Sequence, residues 1–300
     1  MRKKKKQDGF QIMSLIVCVA AGLVCLYPMY YVFIMSISNP REAVQGVYFW
    51  PKGFYLESYI TVFKDSEVWR GLLMSLFYVV TGTAGMVVMC VLAAYPLTRR
   101  NLAGRRLVVF YLLVPMYFGG GMIPSYLNMV DLGLYNTVWS LILPSWISIW
   151  NIILVRTFFM SIPNELEEAA FIDGASHFKV MTRVCVPLAK PVLAVVAIYT
   201  IVGIWNSWFP ASIYITNYNL HPVQLYLRRI LVGQANLVKD MIEKGGAVGV
   251  DEMERLVLAT LSSNQIKYAV IIVVSLPIIA VYPIFQKHFV KGVMLGSLKG

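Results

Sequence analysis

Long apolar stretches separated by short charged ones set the pattern of this 300-residue chain. Six runs, near 12–37, 71–97, 107–124, 135–157, 188–210 and 266–286, are largely free of formal charge in their interiors. As helices, each is long enough to cross about 30 Å of hydrocarbon. The pattern therefore predicts an all-α polytopic membrane protein with six transmembrane helices. Pro28, Pro96, Pro115, Pro144, Pro191 and Pro277 fall in or at the edges of these runs. Membrane helices tolerate such prolines where neighbours satisfy the freed carbonyls. The third run is the least regular, because "PMYFGGGMIP" can divide it into a helix and a re-entrant turn.

The first run follows a basic head, "MRKKKK", and extends from Ile12 to Ile37. A secretory signal has an apolar region of roughly 7–15 residues, whereas this one reaches about 39 Å as a helix and fits a retained, tilted anchor. The organisation expected is a basic N-terminus over 1–11, a six-span domain over 12–287 and a tail over 288–300. Two longer outer segments, 38–70 and 211–265, mix charge with Trp, Tyr, Leu and Gly.

Composition agrees. The chain is 58% hydrophobic and 14% charged, with mean hydropathy +0.67, against about a quarter charged in soluble domains. The net charge of +11 would suit nucleic acid, but its distribution argues against that. Lys and Arg within 2–6, Arg99, Arg100, Arg105, Arg106, Arg156, Lys179, Arg183, Lys190, Lys287, Lys291 and Lys299 all fall on one side if the loops alternate. Only Asp8, Glu165, Glu167, Glu168 and Asp173 oppose them there. The positive-inside rule makes this side cytoplasmic, with both termini on it. The basic clusters then read as topology determinants facing anionic lipid, with no nucleic-acid partner.

Candidate chemistry is sparse. His177, His221 and His288 lie far apart, and Cys18, Cys25, Cys90 and Cys185 lack metal-ligand spacing and read as small apolar residues. No H-E-x-x-H, G-x-S-x-G or P-loop pattern occurs. Ion-coupled carriers usually hold an ionisable residue within a span, and these spans have none away from their ends. The reading is a non-enzyme with no metal or cofactor of its own.

One stretch breaks the apolar pattern. Over 163–187 the charges would cost on the order of 15 kcal/mol at a bilayer centre, so the segment lies outside the hydrocarbon. Pro163 suits a first helical turn, and Glu165, Glu167 and Glu168 favour a helix N-terminus. Leu166, Ala169, Ala170 and Asp173 share one face. Gly174 can end this helix in the left-handed conformation, and Asp173 or Ser176 can cap a second one. Ala175, Phe178, Met181 and Cys185 are expected along the apolar face of that second helix, which Pro187 closes. The segment reads as helix–Gly–helix, either an amphipathic hairpin on lipid headgroups or a docking element.

"EEAAFIDGASHFKVMTRVCVP" resembles the EAA loop of ABC importer permeases, with Glu168, Ala169, Ala170, Asp173, Gly174 and Pro187 on the motif and Val184 and Val186 replacing its usual Ile and Leu. "MIPSYLNMVDLGLYNTVWSLILP" and "GIWNSWFPASIYI" resemble the carbohydrate-uptake, maltose-type branch. "YPIFQKHFVKGVMLGSLKG" is similar to permeases for complex oligosaccharides of the aldouronate and alginate type. The resemblance implies a permease subunit of a bacterial cell-membrane sugar importer. It implies a homologous second permease as partner, two cytoplasmic ATPases holding the ATP and magnesium, and an extracytoplasmic solute-binding protein. Glu168, Ala169, Ala170, Asp173, Gly174, Phe178 and Pro187 become candidate ATPase-coupling residues.

Trp205, Asn206 and Trp208, late in the fifth run, and Asn151 in the fourth are candidates for the substrate path. The plainer reading of them is as interfacial anchors or interhelical hydrogen-bonding residues. The rival readings of the whole chain are an ion-driven carrier or channel and a non-transporting membrane scaffold.

Overall fold

The computed structural model describes residues 9–43, 49–244, 260–261, 263–281 and 283. The basic residues of 2–6, the end of the sixth run, residues 245–259 of the second outer segment and the 288–300 tail lie outside the described residues.

The described residues are helical apart from loops and one isolated bridge, Ser38 to Phe54. The first run forms α1 (Gly9–Ser36), followed by the short α2 (Pro40–Ala43) and α3 (Glu57–Lys64). The second run forms α4 (Ser66–Thr98). Its 33 residues reach about 50 Å, well beyond the hydrocarbon thickness. The third run is not one straight span: α5 (Arg105–Tyr117) and α6 (Met122–Asp131) meet at 115°. Gly121 turns the chain there at φ +86°, a conformation open to glycine and costly for other residues.

The fourth run forms α7 (Trp139–Trp146) and α8 (Ile149–Phe159). Ser148 restarts the helix by accepting a hydrogen bond from the Asn151 amide. After them come α9 (Asn164–Ile172), α10 (His177–Leu188) and α11 (Lys190–Trp205). The fifth run expected over 188–210 is therefore shorter. It starts at a 78° break next to Pro191 and ends at Trp205, before Pro210 opens α12 (Phe209–Tyr214). Next are α13 (Val223–Lys244) and α14 (Ser263–Val281). Among the described residues, α1, α4, α7 taken together with α8, and α14 are long and apolar enough to cross a membrane, and counting α5–α6 and α10–α11 as one bent span each makes six.

Two compact units divide the chain, Met1–Ser66 with Leu227–Ser275 and Glu67–Tyr226 with Leu276–Gly300. In the first, the Gln265 side chain donates to the Ser38 carbonyl at 2.7 Å. The second holds the larger core, in which Met86, Cys90, Ala94 and Tyr95 of α4 pack with Val155 and Phe159 of α8, Val180 and Cys185 of α10, and Val196 of α11. That core sets the 163–187 segment against the end of α4.

Candidate functional site: a helix–glycine–helix element on a partly buried ion pair

The bend at the centre of the element is local chemistry. Asp173 is the C-cap of α9 and Gly174 adopts φ +74°. The Gly174 amide donates to the Phe171 carbonyl at 3.0 Å, and the Ala175 amide donates to that of Ala170 at 2.9 Å. This pair of bonds is a Schellman closure. Ser176 rather than Asp173 caps α10, its hydroxyl accepting from the Lys179 amide at 3.4 Å. Pro163 stands at the N-cap position of α9, one residue before the helix begins. Pro187 lies inside α10, which runs one residue further before the break at Ala189.

Each helix has a packed side and an open side. Glu167, Ala170, Phe171 and Ala175 face the core, as do Val180, Met181 and Cys185. Glu168, Ala169, Asp173 and Gly174 are exposed. Ile172 is 86% exposed and Phe178 65%, with Leu166 also exposed, so three large apolar side chains project from a segment too charged to sit in lipid. The expected apolar face of α10 is corrected in one respect. Ala175, Met181 and Cys185 pack inward, but Phe178 points out, because the buried side of α10 begins only at Val180. The His177 ring lies 4.9 Å from that of Phe171 and 6.4 Å from that of Tyr95.

Sequence reasoning missed the group beneath. Among the described residues, Glu167 is the charged one that is buried. Arg99, just past α4, grips it with both terminal nitrogens: Nη1 on Oε2, and Nη2 on Oε1 at 2.9 Å. The Cys185 thiol donates to Oε1 at 3.4 Å, so it is not merely a small apolar residue. The Arg99 guanidinium sits 4.4 Å from the Tyr95 ring centroid, a cation–π contact. Hydrogen bonding from Arg99 holds the Glu167 carboxyl below its ordinary range, against the opposing effect of burial. Cys185 itself lies in a π-helical turn, Met181–Cys185, within α10. The clue available in sequence is that Glu167 shares its helix face with Ala170 and Phe171.

The candidate path residues scatter. Asn151 is buried, its amide donating to Met86 Sδ at 3.6 Å, and it lines a cavity of about 380 Å³ with Ser148, Tyr199 and Thr200. Trp205 is buried at the end of α11, Asn206 is its exposed C-cap, and Trp208 meets Phe209 edge-to-face at 5.6 Å. A cavity of about 470 Å³ shares Pro144, Ser145, Gly203 and Ile204 with the first. Ser75, Ser125, Ser140, Ser207, Tyr78 and Tyr214 place hydroxyls on its uncharged, mainly apolar wall. This wall combines α4, α6, α7, α12 and Ser207 just past α11, which sequence spacing does not bring together.

The sequence signature of binding-protein-dependent transport system inner membrane components matches residues 10–295. Protein LplC of Bacillus subtilis (strain 168) is 38% identical over 301 residues, covering 100% of this chain and 98% of LplC. The polygalacturonan/rhamnogalacturonan transport system permease YtcP of the same organism is 36% identical, covering 93% of this chain and 94% of YtcP. Among solved structures, one chain of a bacterial ABC transporter involved in importing the acidic polysaccharide alginate superposes with a TM-score of 0.82 at 32% identity, covering 96% of this chain and all of that one. With its bent helix pairs and membrane-length helices, the chain belongs to the family of inner-membrane permease components of binding-protein-dependent transport systems.

Proposed function

We propose that the chain is one of two homologous permease subunits of an ATP-driven importer, and that 163–187 is where a separate cytoplasmic ATPase docks. The N- and C-termini lie in the cytoplasm, and ATP and magnesium belong to the ATPase, so this subunit catalyses no reaction. A solute-binding protein delivers the cargo to the outer side. ATPase closure then shifts the docking element, opening the path outward, and hydrolysis returns it.

One observation carries this reading. Ile172 and Phe178 project beside the backbone bend at Gly174, outside the hydrocarbon, with Glu168 and Ala169 on the same open side. Exposed apolar residues flanking a small-residue notch call for a protein partner that buries them. Burying each is worth about 2 kcal/mol, roughly thirtyfold in affinity.

The cargo is a sugar or oligosaccharide. The similarity to the YtcP and alginate importer permeases supports this, as does the uncharged hydroxyl-and-aromatic wall of the larger cavity. Such a wall can hydrogen-bond and stack on sugar rings without repelling an acidic cargo. Asn151 extends this surface; Trp205, Asn206 and Trp208 mark the outer end of α11.

The test is purification in mild detergent after co-expression with the cognate ATPase and second permease. The ATPase should co-purify with the unaltered chain and be lost from Ile172→Glu and Phe178→Glu, while both variants still insert and pair with the second permease. Absence of the ATPase from the unaltered complex, or its full retention by both variants, would refute the docking reading.

A further inference from the structure

Three elements meet on a single carboxylate. Glu167 belongs to α9, Arg99 follows directly on α4, and Cys185 belongs to the π-turn of α10. We infer that the Arg99–Glu167–Cys185 node is a positioning latch that carries displacement of the docking element into α4, alongside the covalent route through α10 into α11. The inference rests on the docking reading of 163–187.

The covalent route is compliant. Between α9 and α11 the chain passes a non-helical bend at Gly174, a π-turn whose bonds depart from the α-helical ladder, and a 78° break at Ala189. A pull on α9 alone would be absorbed at these joints. The node has the opposite character. A guanidinium gripping both carboxylate oxygens fixes orientation as well as distance, and with Glu167 buried and Arg99 partly so, screening by water is reduced. Tyr95 and Arg156 hold its α4 side. The Tyr95 ring lies under Arg99, its hydroxyl reaches His177 Nδ1 at 3.4 Å, and Arg156 Nε donates to the Leu97 carbonyl at 3.1 Å.

Stability alone does not account for such a pair, since apolar residues of similar size often replace a buried ion pair without loss. What it adds is a fixed register between α9 and α4. Glu167 faces away from Ile172 and Phe178, so one helix offers its outer side to the ATPase and its inner side to the second span. Arg99 and Glu167 are thus positioning residues that touch neither nucleotide nor cargo.

The latch makes Cys185 a reporter. In the complete importer in detergent, N-ethylmaleimide labelling of Cys185 is followed by peptide mass spectrometry, without nucleotide and with AMP-PNP plus magnesium. In the unaltered protein Cys185 should stay protected in both states, because the latch travels closed. In Glu167→Gln, which keeps the shape but removes the charge, labelling should rise at least fivefold with AMP-PNP and remain low without it. Arg99→Lys should behave likewise and serves if Glu167→Gln does not assemble. Labelling of the unaltered protein that rises with AMP-PNP, or variant labelling indifferent to nucleotide, would overturn the latch. So would failure of both variants to assemble, which would assign the pair to folding. Because the complex is purified first, a missing ATPase in the unaltered sample exposes failure of the docking reading separately.

Discussion

Replacing Gly174 tests the bend without touching anything else in the chain. Its φ of +74° is left-handed, and a Cβ built there meets nothing within 4 Å. Gly174→Ala therefore changes only the backbone cost, about 1–2 kcal/mol for an L-residue in that conformation. The two closing bonds, to Phe171 and Ala170, depend on this conformation. The penalty lowers the bent-to-unbent ratio by about 5- to 30-fold. ATPase affinity can fall by no more than this factor, since the bent form alone is competent to dock. Asparagine tolerates the left-handed region better than alanine, so Gly174→Asn should recover most of the loss. The assay is titration of labelled ATPase onto the detergent-solubilised permease pair, read by fluorescence anisotropy for all three proteins. Asparagine as damaging as alanine would refute the backbone argument, pointing instead to a Cβ clash with the partner. Equal binding by all three would refute a role for the bend.

Gly85→Ala should destabilise the permease by about 1–3 kcal/mol, seen as a lower detergent melting temperature. Its Cβ would come within 2.0 Å of the Trp146 indole, which donates to the Thr81 carbonyl at 3.1 Å. Asn136, at φ +58°, accepts from the Thr216 and Asn217 amides at 3.0 and 2.8 Å. Asn136→Ala should cost about 2–3 kcal/mol and Asn136→Gly about 1 kcal/mol less, by the same melting assay. Because the Glu167 carboxyl is held below its ordinary value of 4.5, its contribution is complete above that pH and is lost as pH falls through the lowered value. Hydrogen exchange in α9 should therefore accelerate only in acid. Glu167→Gln should remove this step.

Hydropathy alone determined the all-helical, membrane-crossing character, because transferring long uncharged runs into lipid is favourable wherever they fold. It also determined that 163–187 stands outside the hydrocarbon, because its charges cannot be inserted cheaply. The bend was legible for the same kind of reason: a glycine closing a helix is a local event, decided by its own φ and a few nearby carbonyls. Phe178 was misplaced because the buried side of α10 starts only at Val180, so the first turn of that helix stays outside the core. Arg99 read as one more basic residue of the cytoplasmic side. Only the tertiary structure set it on Glu167, 68 residues away, and joined four helices into a serine-lined cavity. Both depend on which faces the core brings together, and the free energy of that choice resides in long-range packing that no single segment contains.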